Sequence, residues 1–271
     1  MDFGLGEKVV VVTGATANIG RAIALDFANE GVRLIAVGRD PDAGQRLVER
    51  ALECGAASAC FVAVDLRDPD AALHVRDQAA DVGPVDVLVN GVGGNVDQGF
   101  FVDSDPAKWA GDIDLNFGTV LRMTHALLPQ MIERGGGSVI NLGSTAGLVG
   151  DYMLPVYSAM KGAVHSFTKV LAKEVGQHGI RVNAIAPYAT FTTDPEGYSR
   201  GSRFHPDNIA FFTDFAASIN EYDRGMRQRA PVLGKPYARA DQVSALAVYL
   251  ASERAGFVTG RIWEVEGGAL L

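Results

Sequence analysis

The sequence predicts an α/β fold in which a doubly wound, seven-stranded parallel sheet carries helices on both faces. Short β-branched runs alternate with longer helical stretches over the 271 residues, which is the order of βαβ units. Most of the runs are solidly apolar rather than alternating, as expected for strands covered on both faces. Because neither a linker nor an internal repeat interrupts this order, we expect residues 1–271 to form a single domain.

The strands and helices can be placed from these patterns. The first helix has Ile19, Ile23 and Phe27 on one face and ends at Gly31. Another helix begins at Asp105-Pro106, with proline in its first turn, and is predicted to run to about Arg134. The seven predicted strands are Lys8–Thr13, Arg33–Val37, Cys60–Val64, Val85–Val89, Ser138–Leu142, Arg181–Ala186 and Arg261–Val265.

The alternation stops between Pro187 and about Lys235, where no strand pattern is visible. A connection of this length in a compact domain is usually a lid or a binding segment. We therefore predict a substrate lid at about residues 188–235, with Phe211 and Phe215 on one helical face and Phe212 beside them. These aromatic residues favour a bulky, apolar or cyclic substrate. The open alternative is that they pack within the protein or against a neighbouring subunit.

Composition and charge exclude several classes of protein. Hydrophobic residues make up 48% and charged residues 21% of the chain, which excludes wholesale disorder, collagen and coiled coil. The formal net charge of −8 argues against nucleic-acid binding, which needs a basic surface. Cys54 and Cys60 are too few for a disulfide framework and lack the spacing of zinc ligands, so we expect reduced thiols and no metal site.

The first residues of the chain carry no targeting signal. Met1–Glu7 has neither a basic region nor an apolar core. The apolar run Val9–Val12 is far shorter than the ~20 residues that cross a bilayer. We therefore expect a soluble, cytoplasmic protein with no membrane partner.

A glycine-rich turn, TGATANIG, joins the first strand to the first helix. Glycines permit a tight turn and close backbone approach, and the helix N-terminus supplies N–H donors, so the turn is predicted to cradle a pyrophosphate rather than form an ordinary βα turn. It resembles the TGxxxGxG cofactor turn of the short-chain dehydrogenases/reductases, with Asn18 at the usual middle glycine. Asparagine tolerates left-handed backbone angles. The expected cofactor contacts are Gly14, Thr16, Asn18, Ile19 and Gly20.

The resemblance extends over about Glu7–Gly268 and implies a Rossmann-type fold. Asp65-Leu66 follows the third strand, where the family's aspartate contacts the adenine ring, and Asn90-Gly91 resembles the start of the family's NNAG segment. Tyr188 occupies the position, directly after the proline that follows the sixth strand, at which the family usually has glycine. The further cofactor contacts that the resemblance implies are Asp65, Leu66, Asn90, Gly91, Pro187, Thr190 and Thr192, the last two at the nicotinamide carboxamide.

The choice of cofactor is expected at the end of the second strand, in Gly38-Arg39-Asp40. Family members that use NAD place an acidic residue at the position of Gly38, where it accepts hydrogen bonds from the ribose 2′-hydroxyl. Gly38 has no side chain, and Arg39 can bind a 2′-phosphate through a charge-assisted fork. We therefore expect NADP(H) to be favoured. NAD(H) is the alternative if Asp40 neutralises Arg39 or itself reaches the ribose.

Three side chains supply the predicted chemistry. Tyr157 and Lys161 are four residues apart, which puts them on one helical face. Ser144 follows the fifth strand, at the edge where α/β sheets bind ligands. A ketone that accepts a hydride becomes an alkoxide and needs a proton, for which Tyr157 is the donor. The Lys161 cation lowers the pKa of that phenol, and Ser144 positions the carbonyl.

The order and spacing of these residues also resemble the family's catalytic tetrad. The gap of thirteen residues from Ser144 to Tyr157 is the family's usual one. The resemblance implies that Asn116 holds a water that links Lys161 to solvent as a proton relay, and that Tyr157 and Lys161 also bind the cofactor. A YxxxK spacing by itself is equally consistent with two residues on a solvated helix face that have no catalytic role.

Together these features predict a short-chain alcohol dehydrogenase or carbonyl reductase that interconverts a secondary alcohol and a ketone with NAD(P)(H). The expected partner is a small-molecule alcohol or ketone. The alternative function is a non-catalytic dinucleotide-binding redox sensor, although such a sensor would not need Tyr157 and Lys161 together. The resemblance implies a homotetramer or homodimer.

Overall fold

The computed structural model describes residues 3–94, 97–198, 205, 207, 214, 217–227 and 229–271. Its strands are β1 (Val9–Thr13), β2 (Arg33–Gly38), β3 (Ser58–Ala63), β4 (Val87–Asn90), β5 (Gly137–Leu142), β6 (Ile180–Pro187), β7 (Thr190–Phe191), β8 (Ala238–Arg239) and β9 (Ile262–Val265). Its helices are α1 (Asn18–Asn29), α2 (Pro41–Glu53), α3 (Ala71–Val82), α4 (Pro106–Ile113), α5 (Thr119–Arg134), α6 (Ala146–Val149), α7 (Pro155–Val175), α8 (Glu221–Arg227) and α9 (Ala240–Ala251).

Seven of these strands form one sheet in the order β3-β2-β1-β4-β5-β6-β9, and every pairing in it is parallel. The predicted Rossmann-type sheet is confirmed. The order reverses between β1 and β4, where open α/β sheets form a ligand crevice beyond the carboxyl ends of the strands. The segments that follow β1 and β4 therefore meet where a ligand is expected.

The side chains of β1 alternate between two apolar layers, one on each face of the sheet. Val10 and Val12 pack with α1, α2 and α9, whereas Val9 and Val11 pack with α3, α5 and α7. All four valines are at most 3% exposed. Both faces are therefore covered, as the solidly apolar runs predicted, and each such side chain contributes about 1.5–3 kcal/mol by burial.

The helix predicted from Asp105-Pro106 to about Arg134 is interrupted. Asp105 caps α4 by accepting a hydrogen bond from the Ala107 N–H at 3.0 Å, and Gly135 ends α5 in the left-handed conformation with φ 75°, as predicted. Between α4 and α5, however, Asp114–Gly118 forms a π-helical turn. The prediction of one uninterrupted helix was wrong at this turn, which carries Asn116. Such turns occur frequently at functional sites.

A short strand lies in the stretch after Pro187, where the sequence showed no strand pattern. β7 pairs in parallel with β8 in a separate two-stranded sheet. The rings of Phe191 and Tyr237 meet edge to face beside this pairing, with centroids 5.1 Å apart. Two residues are too few to show a period of two, so the pairing leaves no signal in the sequence.

None of the helices in the described parts of the chain is long and apolar enough to cross a bilayer. The same residues contain no group of three or more His, Cys, Asp or Glu side chains placed to hold a metal ion. Cys54 and Cys60 are free thiols, and burial raises the pKa of the Cys60 thiol.

Candidate active site

The ends of β1 and β4 approach each other backbone to backbone. Gly14 has φ 66°, and a Cβ atom there would lie 2.9 Å from the Gly91 carbonyl oxygen. A Cβ on Gly91 would lie 2.4 Å from the Thr13 carbonyl oxygen. The Thr13 hydroxyl joins the two strands, since it donates to the Val89 carbonyl (3.2 Å) and accepts from the Gly91 N–H (2.9 Å). No side chain therefore fits at Gly91, where the family usually has asparagine.

Asn18 has the left-handed backbone expected of it, with φ 41°. Its side-chain amide donates to the Thr190 carbonyl at 3.1 Å, and its backbone N–H donates to the Gly197 carbonyl at 2.7 Å. A glycine could adopt the backbone angle but could not make the side-chain bond. Asn18 thus joins the cofactor turn to the segment that follows β6.

The start of α1 fits an anion such as a pyrophosphate. The residue before the helix, Ala17, gives no side-chain cap, and the first turn contains no acidic residue. A Cβ on Gly20 would lie 2.1 Å from the Gly14 carbonyl oxygen, so the turn closes tightly on itself. The Asn18 N–H is taken by the Gly197 carbonyl, and the N–H donors of the rest of the first turn, with the positive end of the helix dipole, attract phosphate groups. Thr16 is 6% exposed and Ile19 is half-buried in this turn.

A segment after β7 lies across the first turn of α1. Arg21 is 3% exposed, and its guanidinium donates to Asp194 at 2.7 Å and to Glu196 at 2.8 Å. The Asp194 pKa is lowered by its hydrogen bonds to Arg21 and to the Glu196 N–H, which outweigh the effect of burial. No local pattern in the sequence indicates these pairs, because their partners are more than 170 residues apart.

Arg39 follows β2 and lies beside Asp65, which follows β3. The Arg39 side chain is 53% exposed, and Nη1 is 3.9 Å from Asp65 Oδ2. The same carboxylate binds Arg67 at 2.6 Å, and this hydrogen bond is the main cause of the lowered Asp65 pKa. Asp40 instead caps α2 by accepting from the Ala43 N–H at 3.1 Å. Arg39 and Arg67 therefore share the Asp65 carboxylate.

Lys161 and Tyr157 are brought together on α7. Lys161 is 3% exposed, its Nζ donates to the Leu142 carbonyl at 2.7 Å, and Nζ lies 5.8 Å from the centre of the Tyr157 ring. Burial lowers the Lys161 pKa to about 8. Ser144 lies just beyond β5, 9% exposed, and its Oγ accepts from the Ala146 N–H at 3.1 Å.

The π-helical turn places Asn116 beside the same lysine. A Cβ atom on Gly93 would lie 2.9 Å from Lys161 Nζ and 3.0 Å from Asn116 Oδ1, so Gly93 separates the two groups and can be only glycine. The Asn116 amide donates to the carbonyls of Gly94 (2.9 Å) and Asp112 (3.0 Å), and its oxygen accepts from the Gly94 N–H at 3.0 Å. These bonds fix Asn116 in the turn.

Some predicted cofactor residues have other roles. The Asn90 amide points into the interior, where it donates to Thr124 Oγ1 (3.0 Å) and Asn141 Oδ1 (2.9 Å). The Leu66 carbonyl accepts from the Arg122 guanidinium at 2.9 Å, and the Leu66 side chain is buried. The Asn90 side-chain amide therefore has a structural role, and the contact of Asn90 with the cofactor stays a prediction.

The segment that begins at Pro187 is ordered by its own polar groups. Tyr188 extends the pairing of β6, since its N–H donates to the Val265 carbonyl at 3.1 Å, and its φ is not positive. The Thr190 hydroxyl donates to the Tyr188 carbonyl at 2.7 Å, and Thr192 Oγ1 accepts from the Asp194 N–H at 3.0 Å. Tyr188 therefore needs no glycine-like backbone.

The phenylalanines of the predicted lid, Phe211, Phe212 and Phe215, lie outside the described residues.

A buried histidine on α7 lies beside the site, next to Gly143. His165 is 4% exposed, and a Cβ atom on Gly143 would lie 2.2 Å from its Nε2. Burial, aided by the nearby positive charge of Lys161, lowers the His165 pKa to about 4. The side chain is therefore neutral at physiological pH and adds no second cation beside Lys161.

Comparison with known proteins decides the family. The model for "short chain dehydrogenase" matches residues 8–200. The chain belongs to the short-chain dehydrogenase family. The chain is 33% identical over 267 residues to Nodulation protein G of Azospirillum brasilense, covering 97% of this chain and 98% of that protein. It is 32% identical over 269 residues to the galactitol 2-dehydrogenase (L-tagatose-forming) of Cereibacter sphaeroides, with coverages of 98% and 96%.

The fold of this short-chain dehydrogenase also matches solved structures along its whole length. It is similar to the L-sorbose reductase of Gluconobacter frateurii, solved with NADPH and L-sorbose, with a TM-score of 0.85, 29% identity, and coverage of 100% of this chain and 99% of that one. Family membership makes the chain an oxidoreductase with a nicotinamide dinucleotide as its class of cofactor. The glycine turn and the uncapped start of α1 fit that group.

Proposed function

We propose that this protein interconverts a secondary alcohol and a ketone, with NADP(H) favoured over NAD(H). The observation that carries the proposal is the buried Lys161 ammonium, 5.8 Å from the Tyr157 ring. A lysine of this burial beside a phenol at the carboxyl edge of the sheet has no packing role. It does have an electrostatic one, because a cation near a phenol stabilises the phenolate.

Tyr157 is the group that moves the proton. In ketone reduction its hydroxyl donates a proton to the oxygen of the reacting carbon, and in alcohol oxidation its phenolate removes that proton. A free tyrosine has a pKa of about 10, so a nearby positive charge is needed for it to act as a base near neutral pH. The nicotinamide, when bound, supplies or takes up the hydride.

The other members of the tetrad hold the reactants. The Ser144 hydroxyl binds the substrate oxygen and keeps it beside Tyr157, which is a positioning and electrostatic role. Lys161 is anchored by the Leu142 carbonyl. Asn116, fixed by Gly94 and Asp112, supports a water that returns protons to Lys161.

The preference for NADP(H) is assigned to Arg39. Its half-exposed guanidinium shares Asp65 with Arg67, which leaves positive charge for a 2′-phosphate. Gly38 presents no carboxylate to a ribose 2′-hydroxyl, and a Cβ there would lie 3.2 Å from Thr16 Cγ2. The carboxylates at this end, Asp65 and Asp40, are engaged by Arg67 and by the start of α2, so Arg39 is the group offered to a 2′-phosphate.

The proposal has three further parts. A lid at about residues 188–235 covers the substrate, the substrate is bulky and apolar or cyclic, and the protein assembles as a homotetramer or homodimer. The lid and the substrate preference rest on the aromatic residues of the sequence, and the assembly rests on the resemblance to the family.

The test is turnover of NADPH and NADH with a panel of ketones, and of the oxidised cofactors with the matching alcohols. We expect ketone-dependent oxidation of NADPH. Cofactor binding without turnover of any ketone or alcohol would favour the redox sensor instead.

A further inference from the structure

We propose that the substrate carries neutral hydroxyl groups away from its reacting carbon, and that a polar rim beside Tyr157 binds them. The polar rim consists of Gln98, Asp151, Tyr152, Asp223, Arg227 and Arg229. This inference rests on the proposed function, and it concerns the end of the substrate that does not react.

The rim lies near the start of α7, the helix that carries Tyr157. Asp151 precedes α7, and its N–H donates to the hydroxyl of Ser158, the neighbour of Tyr157, at 3.0 Å. Gln98 follows β4, and the next residue, Gly99, donates its N–H to the Met153 carbonyl at 2.9 Å. These contacts bring the segments after β4 and before α7 together.

The third side of the rim comes from α8 and the residues after it. The Tyr152 hydroxyl donates to Asp223 Oδ1 at 2.9 Å, and Arg229 Nη2 is 2.9 Å from Asp151 Oδ1. The Tyr188 hydroxyl reaches the Arg229 carbonyl at 3.4 Å, which ties this side to the end of β6. The rim is therefore bounded by the segments after β4 and β6 and before α7.

Two donors in the rim are left without acceptors among the described residues. Gln98 Nε2 and Arg229 Nη1 are both buried from solvent and make no hydrogen bond there. Leaving a buried donor unsatisfied destabilises the protein, so an oxygen-bearing ligand that accepts from either donor is bound favourably. An apolar ligand at this place would leave both donors unsatisfied.

The charge of the rim selects neutral hydroxyl groups rather than an anion. Arg227 and Arg229 carry two positive charges, and Asp151 and Asp223 carry two negative charges, so the formal sum is zero. Asp223 is 7% exposed, and burial raises the Asp151 pKa against the opposing effect of both arginines. A carboxylate ligand gains no net attraction from a rim of zero formal charge and can only accept hydrogen bonds, whereas a hydroxyl can both donate to a carboxylate and accept from a guanidinium.

The experiment compares kcat/KM for three ketones of similar shape: 4-hydroxycyclohexanone, 4-methylcyclohexanone and 4-oxocyclohexanecarboxylate. For the wild-type protein with NADPH we expect the hydroxylated ketone to be preferred to the methylated one by about tenfold, the value of one good hydrogen bond. In Gln98→Leu this ratio should fall towards one, with the change mostly in KM. Asp151→Asn, which keeps the size of the side chain, should lower the ratio in the same direction.

The matched control is Arg224→Leu, since Arg224 is an exposed residue of α8 outside the rim, and its ratio should equal that of the wild type. Two results would overturn the inference while leaving the proposed reaction in place. One is an equal kcat/KM for the hydroxylated and methylated ketones in the wild type. The other is a ratio of these two values that is unchanged in both Gln98→Leu and Asp151→Asn. A preference for the carboxylate would overturn the choice of neutral hydroxyl groups. No turnover of any of the three overturns the proposed function and this inference with it.

Discussion

Arg21 Nε lies 2.7 Å from Asp194 Oδ2, in an ion pair that joins the first turn of α1 to the segment after β7. The arginine side chain is 4% exposed, and the aspartate side chain is 34% exposed. With the bonds from Asn18 to Thr190 and Gly197, this pair couples the cofactor turn to the start of the proposed lid.

Replacing Arg21 tests that coupling. Arg21→Met should lower the free energy of unfolding by about 1–2 kcal/mol, less than for a fully buried pair because water can reach the carboxylates. The KM for the cofactor should rise. A double-mutant cycle with Asp194→Asn measures the pair, and Arg76→Met, which removes an exposed arginine paired with Asp77, is the control. Additive effects in the cycle would contradict the coupling.

The strands and the common helical face of Tyr157 and Lys161 were predictable because their signals are local. Each strand is a short apolar run between turn residues, and Tyr157 and Lys161 show their common face by spacing alone. The left-handed angle of Asn18 followed from its place in the glycine turn and is confirmed at φ 41°.

What the sequence could not show depends on contacts between distant parts of the chain. No periodic signal in the sequence indicates the ion pairs of Arg21, the pairing of β7 with β8 or the hydrogen bonds between Asn116 and Gly94. Asn90 illustrates the same limit, because its position beside the crevice was predictable but the direction of its amide, set by Thr124 and Asn141, was not.

Arg39→Ala should reduce the preference for the phosphorylated cofactor. We expect the ratio of kcat/KM for NADPH to that for NADH to fall by about 10- to 100-fold, the value of a charge-assisted hydrogen bond. Arg76→Ala, at an exposed arginine paired with Asp77, should leave the ratio unchanged. If the ratio is the same in Arg39→Ala and the wild type, the assignment of Arg39 is wrong.

The low pKa of Lys161 predicts a rise in stability with pH. Its pKa is about 8 in the folded protein and 10.5 in the unfolded chain, so the unfolded state binds more protons between these values and the free energy of unfolding rises with pH. From pH 7 to pH 10 this group should add about 2 kcal/mol. Chemical denaturation should show that contribution in the wild type and not in Lys161→Met; parallel pH profiles would contradict it.

The lid prediction concerns Phe211, Phe212 and Phe215, replaced singly by alanine. If each ring packs on a bound ligand, its burial contributes about 1.5–3 kcal/mol to binding. The kcat/KM for cyclic ketones should then fall by at least about tenfold, and the kcat/KM for short-chain ketones should fall less. Thermal unfolding is measured in parallel. Unchanged kinetics with cyclic ketones together with reduced thermal stability would show that these residues are structural.

The central claim is that the Tyr157 hydroxyl is the proton donor at the carbonyl, and Tyr157→Phe tests it most directly. Removing the hydroxyl while keeping the ring should reduce kcat by at least about 10²–10⁴-fold, the range for a positioned general acid, and should leave the cofactor Kd nearly unchanged. Tyr249→Phe, on α9, is the control and should retain wild-type kcat. A Tyr157→Phe protein that folds normally, binds the cofactor and keeps substantial turnover would contradict the account.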